Sequence, residues 1–511
     1  MAHPRSIQWT TLFTLPEQPA LPLQARLRLA VVQAILEGRL GAGAALPSSR
    51  ELATLLGLSR NTVTSAYLQL MDEGFLEARP RSGVFVAKNA RPQPAAPAEP
   101  LVGQSGGPGQ APAWDDRVRR SLVDRPTLTK PDQWRQYPYP FIYGTHDPQL
   151  FPTEDFRECC ARSLARSQLP HWTPDFETDD VPDLIEQIRT RLLPKRGVFA
   201  LPSEILVTLG AQHAYYLLAD ALFDEDTRVG LEEPGHPHAR NSFTLRRPKW
   251  VEIAVDDDGL VVDALPAVDY VFVTPSHQSP TTATLSLERR QWLLRKAELQ
   301  DFVVIEDDYE AENLYEGRPM PALKSLDRSG RVIYVGSVSK SLSPALRLGY
   351  IVAPRALIRE LRAIRHAMVR HPSAFLQHAY ALFLSLGHHE SHARRVNQVM
   401  QERLALAAQA LREFLPDFEF TLPQGGASIW VRAPQWVDAS ELASMARHHG
   451  VLIEAGDVFF AKPPYPCPYF RLRLSSIAAA QIPAGVRALA LAVDDLARAR
   501  GEQRATARRT H

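Results

Sequence analysis

The sequence YVGSVSKSLSPALRLGY, residues 334–350, joins an apolar segment to a polar segment that contains one lysine, Lys340. The apolar part, with Val332 and Ile333 before it, is typical of a buried strand because β-branched and aromatic residues dominate it. A lysine that follows Ser-Val-Ser is, taken alone, usually a surface residue. The interpretation of Lys340 therefore depends on what the rest of the chain places beside it.

Similar apolar runs occur at residues 204–208, 270–274 and 302–305, and they alternate with longer segments of helical periodicity. This alternation predicts an α/β sheet domain, which we place at residues 134–500. Ligands of such domains bind where the strands end. The polar residues that follow these runs are therefore candidates for a binding site.

Three of these polar residues suit a pyridine ring. A ring nitrogen that must stay protonated requires a buried carboxylate, and Asp307 follows the strand-like run at 302–305. Tyr309 lies two residues later on the same side of an extended chain, where it could donate to a phenolic oxygen of the ring. His236, in the segment Glu-Pro-Gly-His-Pro, is the candidate for a flat side chain above the ring.

A phosphate group would find its partners nearby. Ala211 and Gln212 follow a strand and open an apolar helix, so their backbone amides suit an anion. Ser337 and Arg347, on either side of Lys340, could add a hydroxyl and a guanidinium. The order and spacing of these residues predict a site for pyridoxal phosphate.

The first 87 residues predict a different, α+β domain, a winged helix-turn-helix. Helical patterns cover residues 23–37, 50–56 and 60–70, and residues 74–86 alternate like a hairpin around a basic turn. Capping residues mark the helix ends: Gly38, Ser48 or Ser49, Gly57 and Ser59. The candidate DNA contacts, at the N-terminal ends of the second and third helices, are Arg50, Arg60, Asn61, Thr62 and Thr64.

Both parts resemble known families. Residues 46–53, 58–63, 74–79 and 82–86 are similar to the GntR-type winged helix, which implies that the wing at Arg81 to Gly83 approaches DNA. The whole chain resembles the MocR/GabR family, in which this module is fused to a fold-type-I aminotransferase-like domain. The matching segments are residues 143–152, 210–212, 274–278, 305–309, 334–350, 425–426, 430 and 470–472.

The resemblance implies a transcriptional regulator that binds a double-stranded DNA operator and senses an amine or amino acid by forming an external aldimine. It also implies a head-to-tail homodimer. Lys340 would be the Schiff-base lysine, His277 a cofactor contact, and Arg471 the arginine for an effector carboxylate, with Arg473 as second choice. The alternative is an active pyridoxal-phosphate-dependent aminotransferase with an accessory DNA-binding domain, since a freed Lys340 is also the general base of a transaminase.

Three departures from the family pattern stand out. His236 replaces the usual tyrosine, and Thr282 stands where glycine is common. Residues 172–180 are acidic where a glycine-rich segment is usual, which slightly favours a cationic or diamino effector.

The remaining features set bounds. The chain of 511 residues, with a net charge of +1, is long enough for two cores. Residues 88–133 are a Pro/Ala/Gly-rich linker, whose second part either continues the linker or forms a short helix on the large domain, and residues 501–511 are a polar tail. Glu306-Asp307-Asp308 is the main candidate for a metal site, but no companion cluster accompanies it, so we predict no metal. Without a signal peptide or an apolar span, we expect a cytoplasmic protein that does not enter membranes.

Overall fold

The computed structural model describes residues 9–13, 15, 21–80, 82–90, 114–142, 147–175, 179–310, 312, 315, 320–337 and 342–509. The chain divides into two compact units, Met1–Arg117 and Val118–His511. Among the residues described, no helix combines the length and the hydropathy needed to cross a bilayer.

The N-terminal unit is a winged helix. Its helices are Trp9–Leu12, Leu23–Leu36, Ser49–Leu56, Arg60–Asp72 and Trp114–Arg117. Its antiparallel sheet has the strand order Ala45–Leu46, Gly83–Val86, Leu76–Arg79. The predicted hairpin is confirmed, whereas the short strand beside it and the helix at Trp9–Leu12 were not predicted.

Local capping explains where the two central helices begin. Ser48 Oγ accepts a hydrogen bond from the backbone N–H of Glu51 at 3.2 Å, so Ser48 rather than Ser49 is the cap. Ser59 Oγ accepts from the N–H of Thr62 at 3.1 Å. Gly57, with φ of +63°, ends the first of these helices in the left-handed conformation that glycine tolerates.

The larger unit is organised around an eight-stranded sheet. Its order is Ile205–Thr208, Gly349–Val352, Val332–Ser337, Val303–Asp307, Tyr270–Val273, Arg228–Glu233, Lys249–Asp256 and Gly259–Leu260. The Gly349–Val352 and Gly259–Leu260 strands run antiparallel to their neighbours, and the other pairs are parallel. All four strands predicted from apolar runs are present. Their interior is fully buried because helices cover the sheet.

Two smaller sheets complete this unit. An antiparallel sheet has the order Glu419–Phe420, Ser428–Arg432, Tyr469–Arg473, Glu454–Ala455, and Val451–Leu452 pairs in parallel with Tyr139–Pro140. The α-helices are Thr153–Ser163, Pro182–Gln187, Ala211–Leu222, Pro237–Thr244, Leu287–Gln300, Leu323–Leu326, Arg355–Val369, Ala374–Ser385, His388–Phe414, Ala439–His448 and Ile482–Arg509. A π-helical turn covers Ile188–Leu192. The last α-helix includes residues 501–509 of the predicted polar tail.

The second part of the predicted linker, residues 118–133, belongs to the larger unit. After the short helix Trp114–Arg117, residues 118–133 contain no helix. They pack within the larger unit instead, since Asn241 Nδ2 donates a hydrogen bond to the carbonyl oxygen of Pro126 at 2.9 Å. The first part of the predicted linker, residues 91–113, lies outside the described residues.

Candidate functional site

The predicted site residues follow strands that end at the same edge of the large sheet. Asp307 is the last residue of its strand and pairs with Val335, two residues before Ser337. Ser337 pairs with Gly349, and Gly349 pairs with Thr208, just ahead of the Ala211–Leu222 helix. The register therefore brings Asp307, Ser337 and the start of that helix together.

Asp307 is buried, with 1% of its surface exposed. The phenol of Tyr215, which sequence reasoning missed, donates a hydrogen bond to its Oδ2. Tyr215 lies on the Ala211–Leu222 helix, 92 residues away in the chain. Its position within an apolar helix predicts only a core residue, so no sequence signal marked the contact.

His236 and Tyr309 lie beside this pair. The His236 ring centroid is 6.1 Å from that of Tyr215 and 6.5 Å from that of Tyr309, both at steep angles. His236 also caps the Pro237–Thr244 helix, because its Nδ1 accepts a hydrogen bond from the N–H of Ala239 at 3.3 Å. Burial raises the pKa of the Tyr309 phenol well above its usual value, so Tyr309 stays a hydrogen-bond donor.

The predicted phosphate partners form a cradle at the start of the Ala211–Leu222 helix. Gly210, with φ of +79°, precedes that helix and has no side chain to cap it. A Cβ on Gly349 would lie 2.9 Å from the backbone of Gly210, so this close approach requires glycine. Arg347 Nη2 donates to the carbonyl oxygen of Leu209 at 2.9 Å. A guanidinium beside the helix N-terminus makes the cradle suitable for an anion.

A cavity of about 330 Å³ opens next to this cradle. Arg347 and the exposed Gln212 line it, and Ala211 is half-buried behind them. His213 also lines the cavity. Burial, followed by the positive charges of Arg365 and Arg347, lowers the pKa of the His213 imidazole to about 4. His213 is therefore neutral and leaves Arg347 as the cationic group of the cavity.

The two candidate effector arginines are buried and paired. Arg471 Nε donates to Glu454 at 2.7 Å, and its guanidinium carbon lies 4.7 Å from the ring centroid of Phe459. Arg473 donates to Glu310, which directly follows Tyr309. Arg471 and Arg473 are two residues apart on the strand Tyr469–Arg473, so both side chains face the same side of its antiparallel sheet.

His277 is buried near this group, with 4% exposure, and its Nδ1 has no hydrogen-bond partner among the described residues. Burial lowers the pKa of the His277 imidazole, while the negative charge of Glu310 acts in the opposite direction. His277 is thus a neutral buried ring close to Glu310 and Asp308.

The acidic neighbours of Asp307 have structural roles. Asp308 pairs with Arg196, whose Nε lies 2.7 Å from Oδ2, and accepts hydrogen bonds from Ser276 at 2.6 Å and Tyr334 at 2.9 Å. Glu306 accepts from two backbone N–H groups at the start of the Leu323–Leu326 helix. Within the described residues, no cluster of three or more His, Cys, Asp or Glu side chains could hold a metal ion.

The three aspartates of the acidic segment at residues 172–180 form ion pairs, while Glu177 lies outside the described residues. Asp175 pairs with Arg370 at 2.6 Å, and Asp180 pairs with Arg365 at 2.5 Å. Asp179 pairs in the same way with Arg362 at 3.1 Å. Arg362, Arg365 and Arg370 thus pair with these three carboxylates, and the expectation of a cationic or diamino effector stays a prediction.

Thr282, at the position where the resemblance predicts glycine, has a left-handed backbone conformation. Its φ is +65°, an uncommon value for a β-branched residue. Thr282 lines a cavity of about 580 Å³ together with Trp430 and Tyr469, whose rings stack at 5.6 Å. Thr282 thus combines an uncommon backbone conformation with a position in the wall of this cavity, and its hydroxyl donates to the carbonyl oxygen of Thr281 at 2.6 Å.

The candidate DNA contacts lie on the N-terminal unit. Arg50, Arg60 and Asn61 are exposed, and Thr62 and Thr64 are half-buried. The Thr62 hydroxyl lies 2.8 Å from Ser59 Oγ, so it takes part in capping the helix. Gly83, with φ of +107°, is exposed in the wing. Two predicted residues, Arg81 and Lys340, lie outside the described residues.

Comparison with known proteins assigns both units. Residues 23–86 match the family of bacterial regulatory proteins called gntR, and residues 176–489 match aminotransferase class I and II. The chain is 41% identical to the HTH-type transcriptional regulator TauR of Rhodobacter capsulatus over 92% of its own length and 96% of the relative's. The chain belongs to the MocR-type family of GntR transcriptional regulators. This MocR-type regulator is also 33% identical to the probable rhizopine catabolism regulatory protein MocR of Rhizobium meliloti, over 89% of the chain and 90% of the relative.

Solved structures similar to this MocR-type regulator include aminotransferases. LysN, the α-aminoadipate aminotransferase of Thermus thermophilus, complexed with N-(5′-phosphopyridoxyl)-L-leucine, is 27% identical with a TM-score of 0.69, over 75% of the chain and 99% of LysN. The kynurenine aminotransferase of Pyrococcus horikoshii is 26% identical with a TM-score of 0.66, over 72% of the chain and 95% of the enzyme. The large unit thus has the fold-type-I aminotransferase architecture.

Proposed function

We propose that this MocR-type regulator binds pyridoxal phosphate at the edge of its large sheet and changes its DNA affinity when an amine or amino acid enters that site. The observation that carries the proposal is the alignment of Asp307, Tyr309 and the Arg347 cradle at one sheet edge. The same chain carries an exposed DNA-binding helix, which an enzyme acting on small molecules does not need.

The donor set fits the cofactor. A buried carboxylate suits a pyridinium nitrogen, a protonated phenol suits the ring's phenolic oxygen, and a guanidinium at a helix N-terminus suits a phosphate. When bound, pyridoxal phosphate supplies an aldehyde carbon that an amine can attack and a ring that withdraws electrons. Asp307 would accept the hydrogen bond of the ring nitrogen and Tyr309 would donate to the ring oxygen. Ser337 and Arg347 would bind the phosphate, and Lys340 would hold the cofactor covalently.

The effector carboxylate is proposed to bind Arg471. Arg473 donates to Glu310, to Ser428 at 3.1 Å and to Ser475 at 3.4 Å. These contacts are typical of an arginine that stabilises the fold. Arg471 faces the aromatic side chain of Phe459, and an arginine can pair with a carboxylate through two parallel hydrogen bonds. Binding would require the Glu454 contact to rearrange.

The Pro237–Thr244 helix joins the proposed site to the segment at residues 126–127, which continues toward the linker in the chain. His236 caps that helix at the cofactor edge. Within this helix, Asn241 Nδ2 donates a hydrogen bond to the carbonyl oxygen of Pro126, and His238 Nδ1 lies 3.5 Å from Thr127 Oγ1. A displacement of His236 would therefore reach the segment that continues into the linker. The resemblance adds a head-to-tail homodimer in which each large unit completes the other's site.

The test is an absorption titration of the full chain with pyridoxal phosphate, followed by a panel of amines, ω-amino acids and diamino acids. The proposal predicts a visible band that one amine shifts persistently, with no oxo acid released. Release of an oxo acid in stoichiometric or greater amounts would support the alternative, an active aminotransferase. A chain that shows no visible band with pyridoxal phosphate would contradict both.

A further inference from the structure

We propose that Tyr215 is a positioning residue for the cofactor, whose phenol would hold the Asp307 carboxylate in the orientation that binds the pyridine nitrogen. The inference rests on the proposed function and adds a residue to it. The hydrogen bond from Tyr215 to Asp307 Oδ2 is the contact that carries it. A donor on one oxygen of a carboxylate restrains the rotation of the group and so its orientation toward a ligand.

The Tyr215 ring is held from three sides by other rings. Its centroid lies 5.4 Å from that of Phe272, 6.0 Å from that of Phe243 and 6.1 Å from that of His236, all in edge-on arrangements. Tyr215 is 2% exposed. Such packing limits the ring to one orientation, so its hydroxyl has a fixed position relative to Asp307.

The charges around Asp307 explain why a donor is needed there. Asp307 and Glu232 are both buried, and the negative charge of Asp307 is one of the causes that raise the pKa of Glu232 to about 7, after burial itself. Burying two carboxylates near each other is costly unless hydrogen-bond donors compensate. The phenol of Tyr215 supplies such a donor to Asp307.

The helix that carries Tyr215 also forms the phosphate cradle. Ala211 opens the Ala211–Leu222 helix, and Tyr215 follows four residues later, one helical turn away. A single rigid element therefore fixes the distance between the two ends of the cofactor, its phosphate and its ring nitrogen. A change at Tyr215 would loosen one end without altering the other.

The substitution Tyr215→Phe tests this role because it keeps the packed ring and removes only the hydroxyl. The matched control is Tyr334→Phe. Tyr334 is equally buried, and its phenol donates to the adjacent carboxylate, Asp308, which belongs to the Arg196 network. Both variants lose one hydrogen bond to a buried aspartate, but only one of these aspartates faces the proposed cofactor.

The measurement is the affinity of the full-length chain for pyridoxal phosphate and for 1-deazapyridoxal phosphate, in which C–H replaces the ring nitrogen. Tyr215→Phe is expected to weaken pyridoxal phosphate binding about tenfold, as expected when a hydrogen bond to a charged group is lost. It is expected to change binding of the deaza analogue less than about twofold, and Tyr334→Phe should leave both affinities unchanged.

Equal weakening for both ligands would overturn the inference, because it would show that Tyr215 acts through packing alone. Unchanged binding of pyridoxal phosphate in Tyr215→Phe would overturn it as well. If the unmodified chain binds neither ligand, the proposed function fails first and the inference falls with it. The thermal unfolding of each variant without cofactor confirms that the fold is retained.

Discussion

Replacing Asp308 by asparagine is expected to destabilise the large unit by about 3–5 kcal/mol, the usual cost of breaking a buried ion pair from one side. Arg196 is 7% exposed, and its Nε and Nη2 donate to Asp308 at 2.7 and 3.2 Å. An asparagine at this position keeps one acceptor but turns an N–H₂ group toward these donors. The guanidinium of Arg196 would then stay buried without its counter-charge.

The size of the effect in a melting experiment follows from the size of the unit. The larger unit, Val118–His511, has about 390 residues, and the entropy of unfolding is about 2.1 cal/mol/K per residue. A loss of about 3–5 kcal/mol therefore lowers Tm by about 4–6 °C. The assay is thermal unfolding of the cofactor-free protein near neutral pH.

The pH dependence gives a second signature of this ion pair. Burial opposes the ionisation of Asp308, but Arg196 and the hydrogen-bond donors outweigh burial and lower the pKa of the carboxyl below its ordinary value of 3.8. A group whose pKa is lower in the folded state stabilises the protein above its unfolded pKa and loses that contribution as pH falls through the folded pKa. The difference in Tm between the unmodified chain and Asp308→Asn should therefore shrink below about pH 4.

The same change at the adjacent position serves as the control. Asp307→Asn keeps an acceptor for the Tyr215 phenol and removes a negative charge near Glu232, so Tm should change by less than about 1 °C. Its expected effect is instead weaker binding of pyridoxal phosphate. An Asp308→Asn variant that melts with the unmodified chain, or an Asp307→Asn variant that melts as early as Asp308→Asn, would refute the division of roles between these aspartates.

Three further predictions concern other parts of the chain. The pKa of Glu232 rises from 4.5 to about 7 on folding, so the free energy of unfolding should fall by about 3 kcal/mol between these pH values. In denaturant titrations at pH 5 and 8, Glu232→Gln should reduce that fall. An unchanged fall in the variant would contradict the prediction. Asn241→Ala removes the hydrogen bond to Pro126, so it should reduce the effect of the amine on DNA binding while leaving cofactor and amine affinity unchanged. Fluorescence anisotropy measures the DNA binding. An amine effect as large as in the unmodified chain would exclude a role for this contact. Arg60→Ala should weaken binding to DNA selected from random duplexes about tenfold. Arg28→Ala, which removes an arginine paired with Glu73, should leave this binding unchanged. Equal losses of DNA affinity in the two variants would indicate a general effect of charge.

The parts of the structure that sequence predicted best are set by local physics. Ser59 and Gly57 mark helix ends because a side-chain oxygen caps the first turn and glycine tolerates a positive φ, and neither effect needs distant residues. Asp307 was predicted for a similar reason, since it ends an apolar strand of the kind that lies in the centre of an α/β sheet.

The parts that sequence did not predict depend on distant contacts. The partner of Asp307, Tyr215, is 92 residues away, and the partner of Asp308, Arg196, is 112 residues away. Tyr215 and Arg196 both fit the helical patterns of their segments. In the sequence, Tyr215 therefore resembles an ordinary core residue and Arg196 an ordinary surface residue. The ion pair of Asp175 with Arg370, 195 residues away in the chain, likewise depends on the fold and has no signal in the sequence.

The central claim is that an amine bound at the cofactor changes DNA affinity, and the direct measurement is DNA affinity with and without that amine. The protein would be loaded with pyridoxal phosphate and compared with Lys340→Ala treated in the same way. We predict that the amine changes the Kd for DNA in the unmodified chain and leaves it unchanged in Lys340→Ala, while the two proteins bind DNA equally in its absence. An equal response in both proteins, or no response in either to any amine that shifts the visible band, would contradict the account.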